Sequence, residues 1–186
     1  LEPEVLVACE CSGRVRDAYL RRGVAAISCD LEDTEAPGPH FRGDVRELLA
    51  VKRWQVVVAF PPCTHTAYSG SQYFEEKRAD GRQWAGLSFV LELLAADAEA
   101  VVVEQPRSAF GEFFRPPDVA CHPYHFGDGE QKETWLWLAG RAPPLAATNV
   151  VDGRRRRSAS VRAPTAKERR RRRSITPLGF ADAIAQ

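Results

Sequence analysis

The stretch Gln55-Val56-Val57-Val58-Ala59-Phe60-Pro61-Pro62-Cys63-Thr64 decides how the chain is read. Its apolar run, rich in β-branched valine, reads as a strand buried on both faces, as a parallel sheet requires. Pro61 and Pro62 halt it, since neither has an N–H to give a ladder and each fixes its own φ. The two rings also restrict the residues before them, so the next side chain, Cys63, is presented in a fixed direction. A thiol on such a mount suits a nucleophile, because the thiolate is the reactive form and a fixed loop can aim it.

Similar runs lie on both sides. Val5-Leu6-Val7-Ala8-Cys9, Val24-Ala25-Ala26-Ile27-Ser28-Cys29 and Ala100-Val101-Val102-Val103 read as further buried strands. Val15, Ala18, Tyr19 and Leu20 recur at helical spacing and end at Gly23. Residues 44–52 suit a short helix, residues 81–97 a longer one and residues 110–114 another short one, while 32–42 and 64–80 read as irregular. Residues 122–126 and 134–139 are expected to form a hairpin across the polar turn Gly127-Asp128-Gly129-Glu130. Residues 178–185 suit a closing helix. The order βαβ-β-αβ-ββ predicts an α/β domain, its sheet mostly parallel with an antiparallel hairpin at the end. Ligands of such sheets bind beyond the carboxyl ends of the strands. Here those ends carry Glu10, Asp30, Cys63 and Glu104.

At 186 residues the chain suits a single domain, with 44% hydrophobic and 27% charged residues. That excludes a collagen, a coiled coil and a wholly disordered chain. No apolar run approaches the roughly 20 residues of a membrane span. The acidic opening Leu1-Glu2-Pro3-Glu4 lacks the basic start of a secretory leader, so none is expected. Five cysteines without framework spacing suggest a reducing, cytoplasmic setting. Cys9, Cys11, Cys121 and His122 have poor zinc spacing, and no metal is expected. His65 and His125 suit either proton shuttles or satisfied core positions.

The formal charge of +1 conceals an asymmetry. Residues 151–173 hold ten arginines and Lys167 against Asp152 and Glu168, a net +9, so the rest of the chain carries −8. The expected organisation is a catalytic domain over 1–150, a basic segment over 151–173, and a C-terminal segment over 174–186 that packs back on the domain. The runs Arg154–Arg157 and Arg169–Arg173 suit either phosphate contacts or a solvated loop.

Taken together, these motifs resemble the cytosine-C5 methyltransferases of DNA, which use S-adenosylmethionine. The resemblance runs in order over residues 4–140. Val5 to Gly13 resembles the family's first strand and glycine loop, with Cys9 in place of its phenylalanine and Cys11 in place of its first glycine. Asp30 matches the acid that holds the cofactor ribose. Gly43-Asp44-Val45 matches Gly-Asp-Ile, whose aspartate meets the adenine. Pro61-Pro62-Cys63-Thr64 matches Pro-Pro-Cys-Gln, and Ser69-Gly70 fits the loop behind it. Glu104-Gln105-Pro106 matches Glu-Asn-Val. Gln131-Lys132-Glu133-Thr134 resembles the later Gln-Arg-x-Arg element, with Lys132 or Thr134 where arginine meets the cytosine O2.

The resemblance implies a Rossmann-like, S-adenosylmethionine-dependent methyltransferase domain. Its cofactor would meet Cys9, Glu10, Ser12, Gly13, Asp30, Leu31, Asp44, Val45, Phe60 and Pro61. Cys63, Glu104, Lys132 and Thr134 would be catalytic, and Pro62, Ser69, Arg157 and Arg173 would meet the substrate. Cys63 in place of the aromatic of amino-methylating relatives implies methylation at carbon. Only about 50 residues follow Thr134, too few for the family's long target-recognition domain. Two substrates therefore stay open: cytosine in DNA, or a free cytosine nucleotide such as CMP or dCMP. A third possibility is a non-catalytic nucleic-acid-binding module on a methyltransferase fold.

Overall fold

The computed structural model describes residues 2–153, 164–165, 168, 171–172 and 174–186. Seven strands form one sheet: β1 Val5–Ala8, β2 Ala26–Asp30, β3 His40–Arg42, β4 Trp54–Ala59, β5 Ala98–Pro106, β6 Val119–Cys121 and β7 Thr134–Gly140. Their spatial order is β3-β2-β1-β4-β5-β7-β6. The first five are mutually parallel, β7 runs antiparallel to β5, and β6 antiparallel to β7. This is the expected α/β, Rossmann-like arrangement, mostly parallel with an antiparallel end. β1 lies between β2 and β4, so the chain winds outward from it both ways, and the crevice above that switch point is where such sheets take ligands.

Side chains alternate across the sheet and select their helices. Leu6, Ala8, Val57, Ala59, Val101, Val103 and Trp137 meet the helices α2 Val45–Leu49, α3 Phe74–Ala79, α4 Arg82–Leu94 and α5 Phe110–Phe113. Val5, Val7 and Val58 face the opposite way, against α1 Arg14–Arg21 and α6 Leu178–Ile184. α6 is fixed by Arg21 and Arg22 on Asp182 and by the Tyr19 hydroxyl, which donates to Ile184 O at 3.2 Å. Among the described residues no helix is long and apolar enough to cross a membrane.

Three expectations differ from the structure. Residues 32–42 are not all loop, since His40–Arg42 adds an edge strand to β2. Residues 64–80 hold a 3-10 turn, Tyr68–Tyr73, and α3. Residues 122–126 are not a strand: Pro123 has no N–H to give, Pro123–His125 forms a 3-10 turn, and β6 lies just before it.

Candidate functional site

The two halves of the strand-end crevice are built differently. On the β1–β2 side the chain leaves β1 through Cys9, whose φ of 57° makes it the one non-glycine residue in the left-handed region among the described residues. Glu10 then turns back over α1. Its carboxylate accepts from Gly13 N at 3.1 Å, Arg14 N at 3.3 Å and the Ser12 hydroxyl. Burial raises the Glu10 pKa, and these donors, with Arg16, oppose the rise. The first N–H groups of α1 are thus satisfied from within the chain, as helix starts require.

Arg16 shapes the loop that follows β2. Its side chain is fully buried and ion-paired with Asp17 at 2.8 Å. Its guanidinium donates to Thr34 Oγ1 at 3.2 Å, Ser28 Oγ at 3.3 Å, Ala36 O at 3.1 Å and Pro37 O at 3.0 Å. Gly13 and Gly38 make room for it: a Cβ at either would stand 2.5 or 2.7 Å from a guanidinium nitrogen. The loop so held brings Glu35 N onto Cys11 O at 2.7 Å.

Asp30 ends β2 and accepts from Glu32 N through Oδ1 at 3.0 Å. Its other oxygen has no partner among the described residues. Leu31 is 71% exposed beside it. Asp44 caps α2, taking Arg46 N at 3.0 Å and the Arg46 guanidinium at 3.1 Å, and those bonds lower its pKa. Val45, the first residue of α2, is buried in the core. Burial first, and then Asp30, pushes Cys9 up to about 12 and Cys11 up to about 11. Cys29 and Cys121 are also pushed up to about 12 by burial. These four remain thiols at neutral pH and make poor nucleophiles.

The β4–β5 side is a clamp around the cysteine loop. Phe60 N donates to Ala8 O at 2.9 Å, and the half-buried ring packs toward α1 and α6. Pro61 is buried, Pro62 exposed and Cys63 half-buried. The Gln105 side chain, fully buried, donates to Pro61 O at 2.6 Å and accepts from Thr66 Oγ1 at 2.9 Å. Cys63 O receives Ala67 N at 2.9 Å and Thr66 N at 3.1 Å. Lys77 Nζ holds Thr64 O at 2.9 Å, and Gln83 Nε2 holds His65 O at 3.2 Å. Strand register, α3 and α4 therefore converge on five residues. Ser69 is exposed in the 3-10 turn beyond them.

Glu104 precedes Gln105 on β5. Ala59 pairs with Val103, so Glu104 stands at the level where β4 gives way to the cysteine loop. Alternation sends Gln105 into that loop and Glu104 to the other face, toward Cys121 and Lys132. The Glu104 carboxylate accepts no hydrogen bond among the described residues. Burial raises its pKa, with Lys132 opposing. Lys132 is half-buried. Thr134 is buried opposite Pro106, and its hydroxyl donates to Lys132 O at 3.3 Å, so it supports the lysine's backbone. Burial, then His122, lowers the pKa of His125. Arg157 and Arg173 lie outside the described residues.

Arg16, Gln105, Thr66, Lys77 and Gln83 shape the site, and sequence reasoning missed them. The glycines that admit Arg16, and the single amide at the end of β5, were the available signals.

No family model matches the chain, and no curated protein matches it significantly. Among solved structures, an rRNA methylase from Escherichia coli is similar at 13% identity with a TM-score of 0.40. The match covers 75% of this chain and 58% of that one, so this chain spans under two thirds of that structure's length.

Proposed function

We propose that the chain is an S-adenosylmethionine-dependent methyltransferase acting at carbon 5 of a cytosine ring. The observation that carries this reading is the placement of Cys63 and Glu104 at neighbouring ends of the parallel strands β4 and β5. The half-buried Glu104 carboxylate, which accepts no hydrogen bond among the described residues, sits next in sequence to the glutamine that clamps the cysteine loop. Perturbed, unsatisfied acids of this kind mark sites that await a ligand.

The β1–β2 half fits the cofactor chemically. Asp30 offers an oxygen to a ribose diol, with Leu31 beside it. Asp44 and Glu35 are ion-paired with Arg46 and Arg171, so Asp30 is the acid of this half left without an ion-pair partner among the described residues, which suits a ligand carrying sulfonium and ammonium charges. When bound, the cofactor supplies an electrophilic methyl group.

The chain's own residues do the rest. The Cys63 thiolate adds to carbon 6 of the ring, and the electron pair released makes carbon 5 an enamine carbon, which is nucleophilic. Glu104, whose pKa burial raises, donates from its protonated form to ring N3 and so neutralises the charge pushed onto the ring. Lys132 presents a cation at the same wall. After methylation a base takes the carbon-5 proton, the carbon 5–carbon 6 double bond re-forms, and the thiolate leaves.

The test is one assay with methyl-labelled cofactor against DNA, RNA, CMP, dCMP and cytidine, the product identified by mass spectrometry. Label at carbon 5 is expected. Label on the exocyclic nitrogen, or none on any acceptor, overturns the reading.

A further inference from the structure

Beside the cysteine loop lies a strip of rings and cations, buried at Phe74 and exposed at Trp84 and Phe113. Arg107 stands over Tyr68 at 5.5 Å, and Tyr68 meets Phe74 at 5.8 Å. Arg78 lies over Phe74 at 5.6 Å and over Phe113 at 5.4 Å. Phe113 then meets Trp84 edge-on at 5.0 Å. The strip is continuous, and Trp84 and Phe113 expose 45% and 48% of their surfaces. Clustered exposed aromatics on a soluble domain mark an interaction surface.

Charge selects the partner. Three acids near the strip are engaged: Glu76 and Asp80 pair with Arg82, and Glu112 takes the Tyr68 hydroxyl. Arg78 bonds Gln83 instead, and neither Arg78 nor Arg107 has a carboxylate in ion-pair reach among the described residues. Two cations laid on π faces, between rings open to solvent, match an anionic polymer whose units carry flat faces.

We propose that this strip is a stacking platform for single-stranded nucleic acid. The strand's bases stack on Trp84 and Phe113, its phosphates meet Arg78 and Arg107, and it enters the cysteine loop past α3. Aromatic stacking tolerates any base. A platform of this kind holds a strand without the major-groove reading a duplex demands. The proposal relies on the methyl-transfer reading only for where the strand leads.

The test is fluorescence anisotropy at low salt, without cofactor, using labelled 12-mers of deoxythymidine, of uridine, and a duplex of equal length. Both single strands should bind more tightly than the duplex, and the tighter of the two identifies DNA or RNA as the source. Trp84→Ala should weaken single-strand binding about tenfold. Arg78→Ala should flatten the salt dependence by about 0.7 in log–log slope. Phe113→Ala replaces Trp84→Ala if the latter shifts the melting curve. Binding by the ring variant within twofold of wild type overturns the proposal. So does tighter duplex binding, or a wild-type dimer in sedimentation that Trp84→Ala dissolves. Lost strand binding with intact turnover of dCMP refutes the platform alone. Strand binding without methyl transfer to any acceptor refutes only the methyltransferase reading.

Discussion

The two halves of the crevice use their polar residues in opposite ways. On the β1–β2 side the acids serve the backbone: Glu10 closes α1, Asp44 closes α2, and Asp30 gives one oxygen to a turn. On the β4–β5 side the backbone is served by Gln105, Gln83, Thr66 and Lys77, and the acid Glu104 is left without a donor. An acid at a strand end is therefore a weak indicator of a ligand until its partners are known. Occupied acids build the shelf, and Glu104, without a donor among the described residues, is the acid that the proposed function assigns to the substrate.

The sharpest way to break this contrast is Cys63→Ser. A hydroxyl ionises far less readily than a thiol, so turnover should fall to background. Cofactor affinity by calorimetry should stay within about twofold, since the thiol belongs to the other half of the crevice. Near wild-type turnover would show that the clamp presents something other than a nucleophile. Next in size is Arg16→Ala. It removes four hydrogen bonds, one buried and three part-buried, and opens a void between Gly13 and Gly38. Stability should drop by about 3 kcal/mol, lowering Tm by roughly 6–12 °C. Arg16→Lys should recover little of it, having no planar fork to reach several carbonyls. A Tm unchanged in Arg16→Ala would mean that the β2 loop holds its shape without the guanidinium.

The uneven legibility of the sequence has the same origin. β1, β4 and β5 were readable because a strand buried on both faces must be an apolar run. β3 was not: His40-Phe41-Arg42 is only three residues long, carries a single apolar side chain, and pairs at the sheet edge with β2 alone. α3 escaped because its six residues bury only Phe74 and Lys77, too few to show a period. Cys63 and Glu104 could be picked out as chemical groups at strand ends. Arg16 and Gln105 could not, because, Asp17 aside, their partners lie 12 to 44 residues away in sequence. A buried arginine in an amphipathic helix looks like a solvated one until the loop it holds is in place.

Gln105→Ala sharpens the account of the clamp. It removes the donor to Pro61 O and the acceptor of Thr66 Oγ1, both buried. Stability should fall by about 1–3 kcal/mol. Turnover should fall further than folding alone predicts, with the acceptor KM nearly unchanged, because the loop would be misaimed and not lost. Gln105→Glu separates the two effects: it keeps the acceptor for Thr66 but has no donor for Pro61 O. If both variants lose stability yet keep kcat, the amide is a packing element and does not aim the thiol.

The smallest expected effect concerns Glu104, and its sign is the informative part. The folded pKa is raised by burial, against the ordinary glutamate range in the unfolded chain. Below that range both states hold the proton, and pH has no purchase on folding. Above it the unfolded chain has released the proton while the folded one still binds it, so stability declines with rising pH until the folded pKa is passed. Glu104→Gln has no proton to lose. Its stability relative to wild type should therefore climb with pH, beginning in the ordinary glutamate range and levelling off above the folded pKa. Glu10 and Asp128 are raised as well, but they titrate in both proteins and cancel in the difference. Thermal melts of the pair from pH 4 to 8 read the gap directly. A gap that is flat or shrinks with pH would place a donor on the carboxylate and return Glu104 to the company of Glu10 and Asp44. A gap that widens, together with turnover lost in the amide variant, identifies Glu104 as an acid kept protonated at a folding cost, which no helix cap requires.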